Sequence, residues 1–201
     1  MAHDAKPQLP PGAAAQLEAF LALLLRWNAR MNLTAARDAE TIVHRHFAES
    51  LFAAEHVPAG AVTLLDFGSG AGLPGIPIAI ARPDIAVTLA ESHGKKAAFL
   101  REAVRTLGLR AEVWDRRVEQ MPAERIFDAV TLRAVEKMPQ ACKLAVPRLR
   151  LGGWLGVFTT RATESALDGL RGIRWGEALA IPGSRQEILR MGARADSAPA
   201  Q

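Results

Sequence analysis

Residues 62–77, VTLLDFGSGAGLPGIP, set one carboxylate, Asp66, and the glycines Gly68, Gly70, Gly72 and Gly75 directly behind an apolar run. Glycine adopts backbone conformations closed to other residues and has no side chain to hold a ligand away. Such spacing suits a tight turn whose backbone approaches a bound nucleotide, with Ser69 and Leu73 in the same loop. Val62, Leu64 and Leu65 read as a buried strand before the turn. Pro74 and Pro77 suit the first turn of a helix after it, where a missing N–H costs little. A strand, a glycine turn and a helix N-terminus form a nucleotide-binding corner. A second carboxylate, Glu91, ends the next apolar run, Ile85 to Ala90. At the carboxyl end of a second strand it can accept hydrogen bonds from both hydroxyls of a ribose.

The elements that must position these groups follow from periodicity. Residues 1–12, with three prolines, read as a loose tail. From Ala13 to Asn32, Leu17, Phe20, Leu21, Leu24, Leu25 and Trp27 recur at helical spacing, and Thr34 to Ala54 reads as a polar loop and a second helix with Asp38 as its N-cap. These two helices make a cap, residues 13–56, ahead of a core spanning 57–194. Beyond Glu91, Lys95 to Leu107 predicts a helix closed by Gly108. Ala111 to Trp114 and Phe127 to Leu132 predict a third and a fourth strand. Residues 137–149 predict a helix, 153–159 a fifth strand, 163–170 another helix, and 177–181 and 186–191 weaker strands, before a second polar tail at 195–201. Strands alternating with helices imply an α/β fold with a mostly parallel, Rossmann-like sheet covered on both faces.

Composition sets outer bounds. The 201 residues are 49% hydrophobic and fit one domain. Lys and Arg number 25 against 21 Asp and Glu, a formal charge of +4 that favours an anionic partner. The single cysteine, Cys142, excludes an internal disulfide and a multi-cysteine zinc site, and reads as a small buried hydrophobe. No metal is expected. No apolar run approaches the length of a membrane span, and the start lacks a signal-peptide core, so a soluble cytoplasmic protein is expected.

Two cofactors compete for the glycine loop. Gly70-Ala71-Gly72-Leu73-Pro74-Gly75 satisfies the dinucleotide pattern G-x-G-x-x-G. The fuller run Asp66-Phe67-Gly68-Ser69-Gly70-Ala71-Gly72 resembles motif I of class I S-adenosylmethionine-dependent methyltransferases. A dinucleotide loop must receive a pyrophosphate, whereas S-adenosylmethionine brings an ammonium group that a carboxylate such as Asp66 attracts. Glu91 serves either cofactor.

The surrounding residues narrow the resemblance. Asn32-Leu33-Thr34, the segment Arg45 to Leu51, the loop Asp66 to Pro77 with its Leu-Pro-Gly-Ile-Pro end, and Glu91-Ser92 followed by Lys95-Lys96 and Phe99-Leu100 resemble the bacterial 16S ribosomal RNA guanine-N7 methyltransferases, the glucose-inhibited division protein B group. The likeness continues through Arg117-Val118-Glu119 and Phe127-Asp128 to Arg133-Ala134. It implies methyl transfer from S-adenosylmethionine to N7 of guanine 527 of 16S rRNA in the small ribosomal subunit, by a protein expected to act as a monomer. It further implies that Arg133 positions substrate beside the cofactor, that Arg117 and Arg185 contact RNA backbone or the methionine carboxylate, and that Val118 and Glu119 meet the adenine. Lys95 and Lys96 suit phosphate binding, His46 reads as a packed or capping residue, and the four tryptophans read as core. The chain departs from the pattern where Thr159-Thr160 replace a common Lys-Gly, Gln186 a common histidine and Glu49 a common aspartate. A methyltransferase for another RNA or small molecule, a non-catalytic cofactor-binding module and a nicotinamide dehydrogenase stay open as alternatives.

Overall fold

The computed structural model describes residues 9–196. The expected tails fall largely on residues 1–8 and 197–201, which lie outside it. Seven strands, β1 (Thr63–Phe67), β2 (Ala86–Ala90), β3 (Ala111–Trp114), β4 (Phe127–Leu132), β5 (Leu149–Thr160), β6 (Ile173–Ala180) and β7 (Glu187–Arg194), form one sheet in the order β3-β2-β1-β4-β5-β7-β6. The first five are parallel, and β7 runs antiparallel between β5 and β6. The strand order reverses between β1 and β4, which opens a crevice at their carboxyl ends.

Helix α1 (Ala13–Met31), then α2, which runs through Ala39–Thr41, a π-helical stretch Ile42–Phe47 and Ala48–His56, then α3 (Gly75–Ala81) and α4 (Gly94–Leu107) share one apolar core with one face of the sheet. Phe20 stacks on Phe47 and Phe99, which ties the cap to α4. Helix α5 (Met138–Ala145), with buried Ala141 and Cys142, covers the other face. Burial pushes the Cys142 thiol up to about 12, as its role of small hydrophobe requires.

Local signals place the ends of these elements. Asp38 caps α2 by accepting from the Thr41 N–H at 2.7 Å, and Gly108 closes α4 at φ 61°. Asp128 fastens the amino ends of β1 and β4 together: its Oδ2 accepts from the Val62 and Thr63 N–H groups, each at 2.9 Å. Trp154 is buried, and Trp27, Trp114 and Trp175 pack partly buried against the two cores.

Three expectations need correction. Residues 163–170 form a 3-10 turn, Glu164–Leu167, rather than a helix, because the segment must reverse the chain from β5 into β6 within a few residues. Helix α2 carries a π-helical insertion that its apolar spacing did not signal. The fifth strand begins at Leu149, four residues earlier than expected, with an irregular register against β4 that lets Gly152 and Gly153 pass.

Candidate functional site

The carboxyl ends of β1, β2, β4 and β5 open into a cleft of about 1510 Å³ beneath the loop between α1 and α2. Its first end is the glycine loop. Gly68 and Ser69 donate their N–H groups to the Ala90 carbonyl, each at 2.9 Å, so the loop is sewn to the end of β2. Gly68, Ser69, Gly70, Ala71 and Leu73 line the cleft. Gly72, at φ 78°, instead lies against α3 and α4: a Cβ there would sit 2.5 Å from Ile76 Cδ1 and 3.2 Å from Leu100 Cδ2. Its role is close packing under the loop.

Asp66 departs from the expected cleft-facing carboxylate. It is 1% exposed; Oδ2 accepts from the Gly75 N–H at 3.2 Å and Oδ1 from the Thr131 hydroxyl at 2.9 Å. Burial raises its pKa to about 6 against the hydrogen bonds from Ser69, Thr131 and Gly75 and the charge of Arg133. The side chain pins the start of α3 to β4 from below the loop, with both oxygens used.

Glu91 does face the cleft. Its Oε2 accepts from the Gly70 N–H at 3.0 Å and its Oε1 from the His93 N–H at 2.7 Å, leaving further lone pairs for hydroxyl groups. Lys96 lines the same wall and Lys95 does not. Arg117, Val118 and Glu119 are not among the cleft-lining residues. Val118 is buried on the α5 side, where its carbonyl accepts from Arg148, while Arg117 and Glu119 are exposed. The chain turns into a 3-10 helix at Val118–Gln120, and that turn carries all three away from the cleft wall.

The other end of the cleft is built from side chains. Arg133, just past β4, is 12% exposed and forms an ion pair with Glu49, 4% exposed, on α2. The same Nη2 donates to His46 Nδ1 at 2.5 Å, and the guanidinium lies 5.6 Å from the centre of the Phe158 ring on β5. Arginine can only donate, so His46 Nδ1 is an acceptor here and Nε2 carries the hydrogen, directed at the Thr34 hydroxyl 3.4 Å away. Burial opposes ionisation of Glu49, but the charges of Arg133 and Arg45 hold its carboxyl below the usual range. Thr34 is held by buried Asn28, whose Oδ1 accepts from the Thr34 N–H and whose Nδ2 donates to the Ala36 carbonyl. Thr159, Thr160 and Thr163 line the cleft beside Phe158, with the Thr163 hydroxyl 2.9 and 2.8 Å from the other two.

Sequence reasoning placed His46 as packing and noticed Glu49 only as a departure, yet the structure joins both to Arg133. One signal could have found them: three charged or titratable groups, Arg45, His46 and Glu49, within one and a half turns of an otherwise amphipathic helix. Arg185 and Gln186 lie outside the cleft, in a separate hollow formed with α2.

Comparison with known proteins agrees with this arrangement. The family model described as rRNA small subunit methyltransferase G matches residues 13–167. The ribosomal RNA small subunit methyltransferase G of Halorhodospira halophila is 42% identical over 189 residues, covering 93% of this chain and 83% of that protein. The protein of the same name from Xanthomonas oryzae pv. oryzae is 46% identical over 143 residues, covering 71% of this chain and 66%, just under two thirds, of its own length. A T. thermophilus 16S rRNA methyltransferase in complex with AdoMet and guanosine superposes with a TM-score of 0.54 at 18% identity, over 95% of this chain and 45% of that one. Such distant structures share the fold alone, a class I methyltransferase sheet. The glycine loop, the buried Arg133 pair and the cap all fall inside the matched stretch, and on that evidence the chain belongs to the rRNA small subunit methyltransferase G family.

Proposed function

We propose that this protein transfers a methyl group from S-adenosylmethionine to N7 of guanine 527 of 16S rRNA in the small ribosomal subunit. The observation that carries the reading is the pairing, in one cleft, of an open glycine loop with Glu91 at one end and the largely buried guanidinium of Arg133 at the other. The donor set suits the cofactor: Glu91 can take a ribose diol, and the loop backbone from Gly68 to Ala71 leaves room for a close approach. When bound, S-adenosylmethionine supplies an electrophilic methyl group on a sulfonium.

Guanine N7 carries an in-plane lone pair that is free at neutral pH, so no side chain is required as a general base. The work left to the protein is orientation and exclusion of water. Arg133 is suited to holding the guanine edge or its phosphate, because Glu49 and His46 fix one face of its fork and leave other N–H groups for a ligand. Phe158 adds an apolar ring on which the guanidinium rests. A purine that enters must leave its stack, which an apolar and arginine-lined cleft can repay. Arg117, Val118 and Glu119 have no support from the geometry as cleft contacts. The cap at 13–56 and the core at 57–194 act in this reading as one domain, supported by the core they share through Phe20, Phe47 and Phe99. We read the enzyme as a cytoplasmic monomer; among the described residues no helix is long and apolar enough to cross a membrane.

The test is transfer of labelled methyl to small subunits lacking the N7 methyl, with mapping of the modified base. Label at the expected guanine supports the reading; label on another RNA or small molecule replaces the substrate. Calorimetry should show binding of S-adenosylhomocysteine and none of NAD, and the reverse would overturn the cofactor. Cofactor binding without transfer to any substrate would favour a binding module, for which the neutral Thr159 and Thr160 in place of a cation are the motive.

A further inference from the structure

Thr34, in the loop between α1 and α2, is half-buried and lines the cleft. Asn28, 2% exposed, fixes the backbone there: its Oδ1 accepts from the Thr34 N–H at 2.9 Å and its Nδ2 donates to the Ala36 carbonyl at 2.7 Å. A hydroxyl ordinarily offers one hydrogen and two lone pairs, and rotates to suit its partner. At Thr34 that choice is closed. His46 Nε2–H is directed at Oγ1 from 3.4 Å, because Arg133 occupies Nδ1, and the Ala36 N–H donates to the same oxygen at 3.3 Å. With both lone pairs engaged the hydroxyl can only donate, and no acceptor among the described residues takes its hydrogen. Thr34 and Arg133 hold the two nitrogens of one imidazole, which puts this hydroxyl at the Arg133 end of the cleft.

We propose that Thr34 selects the base: its hydroxyl donates to O6 of the target guanine and, unable to accept, turns away a 6-amino group such as that of adenine. The inference rests on the function proposed above. O6 and N7 share one edge of guanine, so a donor held at the base end of the cleft meets O6 when N7 faces the methyl group. N7 itself must stay free for attack, and a hydrogen bond to O6 leaves it so. O6 carries a second lone pair, which an N–H of Arg133 can use at the same time. An amino group in place of O6 would set hydrogens against a hydroxyl with no lone pair to spare, leaving donors unpaired on both sides. A site built around one hydrogen bond rejects the analogue that cannot make it far more strongly than shape alone does.

The experiment compares small subunits carrying guanine at the target position with subunits reconstituted to carry 2,6-diaminopurine there, a base that has an amino group in place of O6 and keeps N7. Methyl transfer is measured for wild type, Thr34→Val and Thr34→Ser, with S-adenosylhomocysteine affinity alongside. Valine keeps the branched shape without the hydroxyl, and serine keeps the hydroxyl. Wild-type kcat/KM should be about a hundredfold lower on the diaminopurine particle. Thr34→Val should lose about tenfold on the guanine particle and little on the other, so discrimination narrows about tenfold at unchanged cofactor affinity, and Thr34→Ser should restore it. A general disturbance of the loop slows both particles alike, so an unchanged ratio in Thr34→Val overturns the assignment. Equal use of both particles by wild type overturns it too, and lost cofactor affinity at an unchanged ratio overturns it in favour of the methionine carboxylate. Thr34→Ala carries the same comparison if the valine variant does not fold. If wild type binds cofactor but labels no rRNA, the proposed function fails instead. Calorimetric titration of the S-adenosylhomocysteine-loaded protein with guanosine and with 2,6-diaminopurine riboside then decides: a preference for guanosine that Thr34→Val abolishes supports the assignment, and any other result overturns it.

Discussion

At one end of the cleft the groups that face a ligand are mostly backbone, supplied by one short segment, residues 68–73, and backed by a carboxylate whose oxygens are both used internally. At the other end they are side chains brought from α2, β4 and β5, with Arg133 and Glu49 lying 84 positions apart in the chain. The first end is a matter of volume at Gly72 and Gly75, where an added Cβ would collide with Ile76 or with Leu89 and Asp66. The second is a matter of charge, since removing one partner strands another out of water. The two ends should therefore fail in different ways when altered.

The largest effect is expected at the charged end. Arg133→Ala should slow methyl transfer about a hundredfold, by analogy with loss of one aimed donor, and should lower stability by about 3 kcal/mol, because buried Glu49 then keeps only the more exposed Arg45, 3.4 Å away, as an ion partner. Adding Glu49→Gln should restore the unfolding midpoint and leave turnover low. Normal turnover in that double variant would remove Arg133 from the substrate end altogether.

At the glycine end, Gly75→Ala should destabilise by about 1–3 kcal/mol. Its Cβ would stand 2.4 Å from Leu89 Cδ2 and 2.6 Å from Asp66 Oδ2. Calorimetry should show weakened S-adenosylhomocysteine binding, and an unchanged affinity would mean that the loop adjusts more freely than its packing implies.

Asp66→Asn sharpens the contrast further. An amide can accept from the Gly75 N–H and donate to the Thr131 hydroxyl, so every bond at the site can be remade. Cofactor affinity should stay within about threefold of wild type, because the geometry gives Asp66 a supporting place rather than a contact. A larger loss would return Asp66 to the list of ligands.

The smallest effects concern pH. Asp66 has its pKa raised to about 6 by burial, so the folded protein keeps a proton that the unfolded chain releases above about 4. Its contribution to stability is present below that range and is lost as pH rises through 6. Asp128 behaves oppositely. Burial opposes its ionisation, but Val62, Arg150 and Thr63 hold its pKa down to about 2, so its contribution is full above about 4 and fades as pH falls toward 2. Denaturant unfolding across this range should show Asp66→Asn removing the fall in stability between about pH 4 and 6, and Asp128→Asn removing the rise between about pH 2 and 4.

Much of the fold is legible in the amino-acid sequence. The alternation of β-branched strands with amphipathic helices fixed the parallel core, and Asp38 and Gly108 marked helix ends because capping is a local matter of backbone hydrogen bonds. Glu91 was legible for the same reason, as the first residue past a strand beside a glycine turn. The last three elements were read less well. The pair β6 and β7 closes antiparallel on β5, and strands that depend on such distant pairing carry weak local signals. The segment from Thr163 to Leu170 has helical composition, yet the short return path from β5 to β6 allows only a single turn.

Sequence by itself determined the glycine loop, the carboxylate after β2 and the family, because each is written in contiguous residues whose chemistry is local. Only the tertiary structure decided that Asp66 faces inward, that Arg117, Val118 and Glu119 stand off the cleft, and that Glu49 and His46 clamp Arg133. Those outcomes depend on which way a side chain points once sheet and helices have packed, and on which charges then find one another out of water. Neither can be read from spacing along the chain, since burial and pairing are properties of three-dimensional neighbours.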